Sequence, residues 1–178
     1  MFEEAINESI IHVNPFKKIK STYHSDTKTK ALTMVQLSQI KNLENLDSNL
    51  VFYRDLFLLM CYTGLSFSNV ITLSDDCLLP IDDSRIKLDT QRVKTKETII
   101  QILPKEAQKI LEKYALNNKG ILLPKVSLET VNLKLKILQA AANINITLST
   151  KIARTTCNQL LNNVGFFDPV YKRLYLGW

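Results

Sequence analysis

Apolar side chains recur at the three- and four-residue spacing of helices along most of this chain, and one stretch, residues 75–103, breaks the rhythm. Phe2, Ile6, Ile10 and Val13 predict a short amphipathic helix over 2–13, closed by Asn14-Pro15. So short a helix is not stable alone, so its apolar face is expected to pack on a preceding domain. Residues 16–30 lose the periodicity. Lys17, Lys18, Lys20, Lys28 and Lys30 stand there among Ser, Thr and Asp, the composition of a basic linker.

The main domain, residues 31–178, opens with a strong helix start. Thr33 with Gln36 forms a capping box, and Leu32 can meet Leu37 across it as a hydrophobic staple. A second helix is predicted from Asp47 or Ser48 to Tyr62. Leu50, Tyr53, Leu56, Phe57 and Met60 make it apolar enough for the central core helix. Gly64 suits the left-handed residue after its end, and a short helix follows from Ser66 or Phe67 to about Leu73. In the aberrant stretch, Asp75-Asp76, Pro80 and Asp82-Asp83-Ser84 are turn formers. Arg85–Asp89 alternates polar and apolar as a half-buried strand does, and Thr98–Leu103 reads as another. Together they predict a small antiparallel sheet with a basic turn at Gln91–Glu97.

Helical spacing then returns. Pro104 suits a first helical position, ahead of a face of Ala107, Ile110, Leu111 and Tyr114 that closes at Asn117–Gly120. Ser127 caps a long helix carrying Val131, Leu135, Leu138 and Ala142. The next helix is capped by Ser149 or Thr150, buries Ile152, Leu160, Leu161 and Val164, and stops at Gly165. A last one has Asp168 as cap and Pro169 at its first position, with Tyr171 and Tyr175 facing the core. The fold class is mainly α with a small antiparallel β-sheet.

Composition narrows the partners. Of 178 residues 46% are hydrophobic, enough for a real core, and 23 Lys and Arg against 17 Asp and Glu leave a net charge of +6. That excess favours a polyanion or an acidic surface. Cys61, Cys77 and Cys157 are widely separated and fit no metal spacing, which points to small core residues in a reducing compartment. No apolar run is long enough to span a bilayer, and Met1-Phe2-Glu3-Glu4 is acidic where a signal peptide is basic. A cytoplasmic protein with no membrane partner is expected. His12 and His24 are too early and too isolated for catalysis.

The candidate chemistry is cationic. Lys151 and Arg154 stand three apart on the first turn of their helix, where two cations repel each other and the positive end of the helix dipole. An anion held at that end would remove the conflict. By itself the segment reads first as a solvated polar turn, and so does Arg92-Val93-Lys94-Thr95.

The order of these pieces carries more than any one of them. Leu32-Thr33-x-x-x-Leu37 is followed by a long apolar helix ending Cys61-Tyr62-Thr63-Gly64-Leu65. Then come the hairpin with Arg92-Val93-Lys94-Thr95, Lys151-x-x-Arg154-x-Thr156, and Leu176-Gly177-Trp178. This order resembles the catalytic domain of the tyrosine recombinases, the phage-integrase family, and within it the integrases of bacterial mobile elements and transposons. The resemblance covers roughly residues 31–178, and residues 1–15 resemble the tail of the core-binding domain that precedes it in the family.

The resemblance implies DNA strand cleavage and rejoining through a phosphotyrosine, without metal or nucleotide cofactor, on double-stranded DNA and with self-association on it. Cations stabilise the charge on phosphorus, a hairpin lysine protonates the leaving 5′ oxygen, and a tyrosine forms the covalent bond. Arg154 matches the second catalytic arginine, Lys151 the His or Lys before it, and Lys94 the hairpin lysine, with Lys96 as its backup. Trp178 matches the His or Trp after Leu-Gly. Arg92, Lys94, Lys96, Lys151 and Arg154 are the expected DNA contacts.

Three positions depart from the pattern. Ser66 stands where the first catalytic arginine is usual, Asn69 where its acidic support is usual, and Thr155 where a His is usual. A buried arginine without its carboxylate is costly, so losing both together keeps the site electrically consistent. The nucleophilic tyrosine is expected beyond Trp178, which would leave this chain inactive alone. The alternatives are a catalytically silent DNA-binding relative and a helical interaction domain.

Overall fold

Helix starts are written in local sequence, and the structure follows them closely. A computed structural model describes residues 30–115 and 120–177, together with Ile6, Glu8 and Ser9. Helix α1 (Met34–Lys41) begins behind the expected capping box. Thr33 Oγ1 accepts from the Gln36 N–H at 3.2 Å, and Gln36 Oε1 accepts from the Thr33 N–H at 3.0 Å. Helix α2 (Ser48–Thr63) starts where the Asp47 carboxylate accepts from the Leu50 N–H at 2.7 Å. Helix α3 (Phe67–Val70) is capped by Ser66 and ends before Leu73. Helix α4 is Lys105–Ala115, α5 is Leu128–Ala141 behind Ser127, α6 is Thr150–Asn163, and α7 is Pro169–Leu176 behind Asp168.

α2 is the centre of the core. Leu56, Phe57, Leu59, Met60 and Cys61 are exposed by no more than 1%, so the helix is covered nearly all round, by α6, α4, α5 and α1. One acidic side chain among the described residues lies in this core. The Asp55 carboxylate accepts from Arg54 at 3.1 Å, from Lys113 Nζ at 2.6 Å and from the Tyr114 hydroxyl at 2.9 Å, which ties α2 to α4.

The sheet has three antiparallel strands in the order β1 (Leu78–Asp82), β2 (Arg85–Gln91), β3 (Thr98–Ile102). Leu88, Ile99 and Gln101 point inward and are buried. Residues 78–82, read from sequence as turn, are the edge strand β1. Pro80 misleads because it lacks a ladder donor, but an edge strand tolerates that loss. The register slips between Pro80 and Asp82, after which Asp82 Oδ1 accepts from the N–H groups of Ser84 and Arg85 in the expected turn.

Other expectations fail where tertiary packing decides. Pro104 precedes α4 rather than opening it, and its carbonyl accepts from the Gln108 N–H at 3.0 Å. Val164 is exposed, because α6 turns Ala153, Thr156 and Cys157 inward and its last turn overhangs the core. Tyr171 is 61% exposed, so only Tyr175 of that pair faces inward. The helix expected over 2–13, most of the linker, residues 117–119 and Trp178 lie outside the described residues. No helix among the described residues is long and apolar enough to cross a membrane.

One junction locks three elements together. Gly64 has φ +67°, and a Cβ there would lie 2.3 Å from Leu176 Cδ2 and 3.1 Å from Cys157 Sγ. Glycine is required on both counts. It lets the end of α2 touch α6 and α7 at backbone distance.

Candidate active site

A cleft of about 270 Å³ opens beside this junction, lined by Ser66, Ser68 and Asn69 of the α3 turn, Arg92 and Lys94 of the β2–β3 hairpin, and Thr150 at the start of α6, among others. The hairpin reaches it through a defined turn. The Arg92 N–H donates to Glu97 O at 2.8 Å, the Lys96 N–H donates to Arg92 O at 2.9 Å, and Lys96 takes a left-handed φ of +59°. Lys94 and Lys96 are therefore exposed at the tip, with Arg92 half-buried at its base.

Helix α6 brings its own first turn to the cleft, but not by the expected cap. Ser149 occupies the N-cap without a side-chain hydrogen bond. Asn132 of α5 does that work, its Oδ1 accepting from the Thr150 N–H at 3.1 Å. Further along, the Leu32 N–H donates to buried Thr156 Oγ1 at 3.0 Å, and Thr155 Oγ1 donates to Lys30 O at 3.1 Å. Thr155 is thus spent on the backbone rather than on the cleft.

The two cations of α6 have different surroundings. Lys151 is exposed and does not line the cleft. Arg154 is half-buried and donates from Nη2 to the carbonyls of Leu176 and Gly177, the latter at 3.5 Å. Burial first, and the Arg92 charge second, pull its guanidinium down to about 10, so it is still a cation at neutral pH. Arg92 closes this group from the other side, its Cδ 3.6 Å from where a Cβ would stand on Gly177. Lys94, Arg92 and Arg154 thus form a chain of neighbours from the hairpin tip to the end of α7. Lys151 stands apart, and Trp178 lies outside the described residues.

Acidic partners are few. Glu97 lies 3.6 Å from Arg92 and 3.4 Å from Arg173, and it accepts from Thr95 Oγ1 at 3.0 Å. Those hydrogen bonds and charges hold its carboxyl below the ordinary range, the Thr95 bond most. The degenerate positions make a neutral unit. Ser66 Oγ donates to Asn69 Oδ1 at 2.6 Å, and Asn69 Nδ2 donates to Gln91 O at 2.9 Å.

The candidate nucleophiles inside the chain are poorly prepared. Burial pushes the Cys157 thiol up to about 12 and raises the Tyr175 phenol, whose O–H donates to Tyr62 O at 3.3 Å. No tyrosine is among the described residues lining the cleft. Among the described residues no group of His, Cys, Asp and Glu is arranged to hold a metal. Cations, hydroxyls and an amide suit the binding of an anionic, tetrahedral oxygen group.

Asn132, Glu97 and the bond from Asn69 to Gln91 O carry no local sequence signal. Each acts across 18 or more positions, or through a backbone carbonyl, which a linear pattern does not record.

No protein-family profile matches the sequence, and no curated protein is similar enough to be matched to it. Solved structures do match its shape. The XerH site-specific recombinase bound to palindromic difH substrate superposes with a TM-score of 0.73 at 13% identity, over 94% of this chain and 52% of that one. The Tn1549 transposon integrase in complex with circular intermediate DNA gives 0.64 at 18% identity, over 99% and 67%. A lambda integrase dimer bound to a COC′ core site gives 0.66 at 16% identity, over 99% and 64%. The chain has the fold of the tyrosine-recombinase catalytic domain. It spans about half the length of the XerH chain.

Proposed function

We propose that this chain is the DNA-binding catalytic domain of a site-specific tyrosine recombinase that integrates a mobile element. The observation that carries the reading is the pair of cations, Lys94 and Arg92, lining a cleft of hydroxyl and amide groups on this fold, with the Arg154 guanidinium close enough behind them to feel the Arg92 charge. The scissile phosphate sits against Arg92 and Arg154, whose guanidiniums stabilise the extra charge on five-coordinate phosphorus. Lys94, at the exposed tip of the hairpin, donates the proton to the leaving 5′ oxygen. Lys151 contacts the neighbouring backbone from the exposed face of α6, Lys96 does so from the hairpin tip, and Trp178 takes the role of the family's His or Trp. Copies of the protein associate on the DNA, and the reaction takes place in the bacterial cytoplasm.

The nucleophile is a tyrosine beyond Trp178. Tyr171 points to solvent and Tyr175 is bonded to Tyr62 O, so neither is held in line with a phosphate in the cleft. A second reading, a silent relative that only grips DNA, is favoured by Ser66 and Asn69 where an arginine and its acidic support are usual.

Incubation with a nicked suicide duplex, followed by a denaturing gel, separates the two. A protein extended past Trp178 is expected to form a covalent adduct, and this chain is not. An extended protein that binds the duplex without reacting supports the silent relative. An adduct mapped to Tyr171 or Tyr175 overturns the tyrosine assignment, and binding that is absent or insensitive to salt overturns the DNA reading altogether.

A further inference from the structure

We propose that Asn69 is a positioning residue that, oriented by Ser66, latches the β2–β3 hairpin onto the α3 turn and so fixes where Arg92 and Lys94 stand. The inference rests on the DNA-binding reading for its purpose, but not for its geometry.

Asn69 is 3% exposed, so its amide must find partners within the protein. Its Oδ1 accepts from Ser66 Oγ at 2.6 Å, and its own N–H donates back to that oxygen at 3.4 Å. This exchange orients the amide and leaves Nδ2 pointing across the cleft, where it donates to Gln91 O at 2.9 Å, 22 positions away in sequence. Gln91 O belongs to the peptide plane that ends at Arg92 N. The N–H of that same plane donates to Glu97 O at 2.8 Å. The plane from which the Arg92 side chain springs is therefore held at both of its polar ends, by α3 on one side and by the hairpin closure on the other.

The chemistry needed at position 69 is specific. The amide must accept at one end and donate at the other. An aspartate of the same shape accepts from Ser66 but turns an anionic oxygen toward Gln91 O, which offers no proton. The hairpin then loses this tie to α3 and keeps its own turn and the Glu97–Arg173 contact with α7. In this view Ser66 and Asn69 are not an empty remnant of an arginine and its support. They form an uncharged brace that aligns cations supplied by the hairpin.

The test uses the full chain with Asn69→Asp, and Ser66→Ala as a milder variant that removes only the orienting hydroxyl. Amide hydrogen exchange in the DNA-free protein is read first. Exchange at 91–98 is expected to rise about tenfold in Asn69→Asp and less in Ser66→Ala, with α2 unchanged in both. Affinity for a duplex oligonucleotide at fixed salt is read second. Asn69→Asp is expected to weaken it about tenfold, and to add nothing in an Arg92→Ala/Lys94→Ala background.

Unchanged hairpin exchange in both variants overturns the latch. An Asn69→Asp loss of affinity that persists undiminished without Arg92 and Lys94 overturns its positioning role. A wild-type chain that binds no duplex sinks the functional reading alone, because the exchange measurement still decides the latch. If Asn69→Asp does not fold, Ser66→Ala carries the same two readings.

Discussion

Two charged regions, one on α2 around Asp55 and one at the cleft between α3 and the hairpin, are built on opposite principles. Around Asp55, one buried carboxylate receives Arg54, Lys113 and the Tyr114 hydroxyl within 3.1 Å, so the positive groups are answered inside the protein. At the cleft, Arg92 has its carboxylate at 3.6 Å and shares it with Arg173. Arg154, beside it, turns to backbone carbonyls. Charge that is balanced at short range holds helices together. Around Arg92, where one carboxylate at 3.6 Å serves two arginines, more of the charge remains available to a ligand. The contrast separates the two roles more sharply than the composition does, since both regions contribute to the same basic total.

The comparison breaks most visibly at Asp55. Asp55→Ala leaves Arg54 and Lys113 without their shared anion, and chemical denaturation is expected to register a loss of about 3 kcal/mol. The folded fraction should bind DNA as wild type does. Arg92→Ala with Lys94→Ala is expected to do the reverse. Stability should move by less than about 0.5 kcal/mol, while the slope of log affinity against log salt becomes shallower by roughly 0.9, the value for one phosphate no longer neutralised.

Arg154→Ala lies between them. It should weaken binding only modestly, because most positioning contacts lie elsewhere. It should also lower the melting temperature by a few degrees, about the value of a charged hydrogen bond to the Leu176 and Gly177 carbonyls.

Acid gives the smallest effect. The hydrogen bond from Arg85 holds Asp82 down to about 2, and Glu97 is lowered as well. Their folded values lie below the unfolded ones, so their contribution is complete above the ordinary carboxylate range near about 4 and is lost as pH falls through the depressed values. Asp82 is exposed and Glu97 half-exposed, so solvent screens both. A shallow decline in melting temperature between about pH 4 and pH 2 is expected, and Glu97→Gln should remove its own part of that decline.

The sequence was most legible where structure is local. Thr33 with Gln36, Asp47, Ser127 and Asp168 mark helix starts because a cap is decided within four residues. Gly64 was legible for its left-handed conformation, but not for its contact with Leu176. The misreadings share one cause. Pro80 looked like a turn because its tolerance depends on which strand has a free edge. Ser149 looked like a cap because nothing near it announces Asn132. Val164 looked buried because helical spacing continues past the point where the core ends.

The site divides in the same way. Lys94, Lys151 and Arg154 could be picked out by order along the chain, yet order could not say that Arg154 sits against α7 while Lys151 stays in solvent. That depends on which way α6 is rolled, which Leu32, Lys30 and Asn132 determine from distant parts of the chain.

The hydrogen bonds from Arg154 to the last carbonyls of α7 have a thermodynamic consequence. The Arg154 guanidinium feels the Arg92 charge and tethers the end of α7, so an anion reaching it and the seating of that peptide would be linked equilibria. An anion that draws the Arg154 Nη2 group toward itself loosens the Leu176 and Gly177 carbonyls. By reciprocity, whatever fixes those carbonyls alters anion affinity by the same factor. The Leu176 and Gly177 carbonyls are therefore not passive ends of α7. Their position and the charge around Arg154 are two readings of a single coupling free energy.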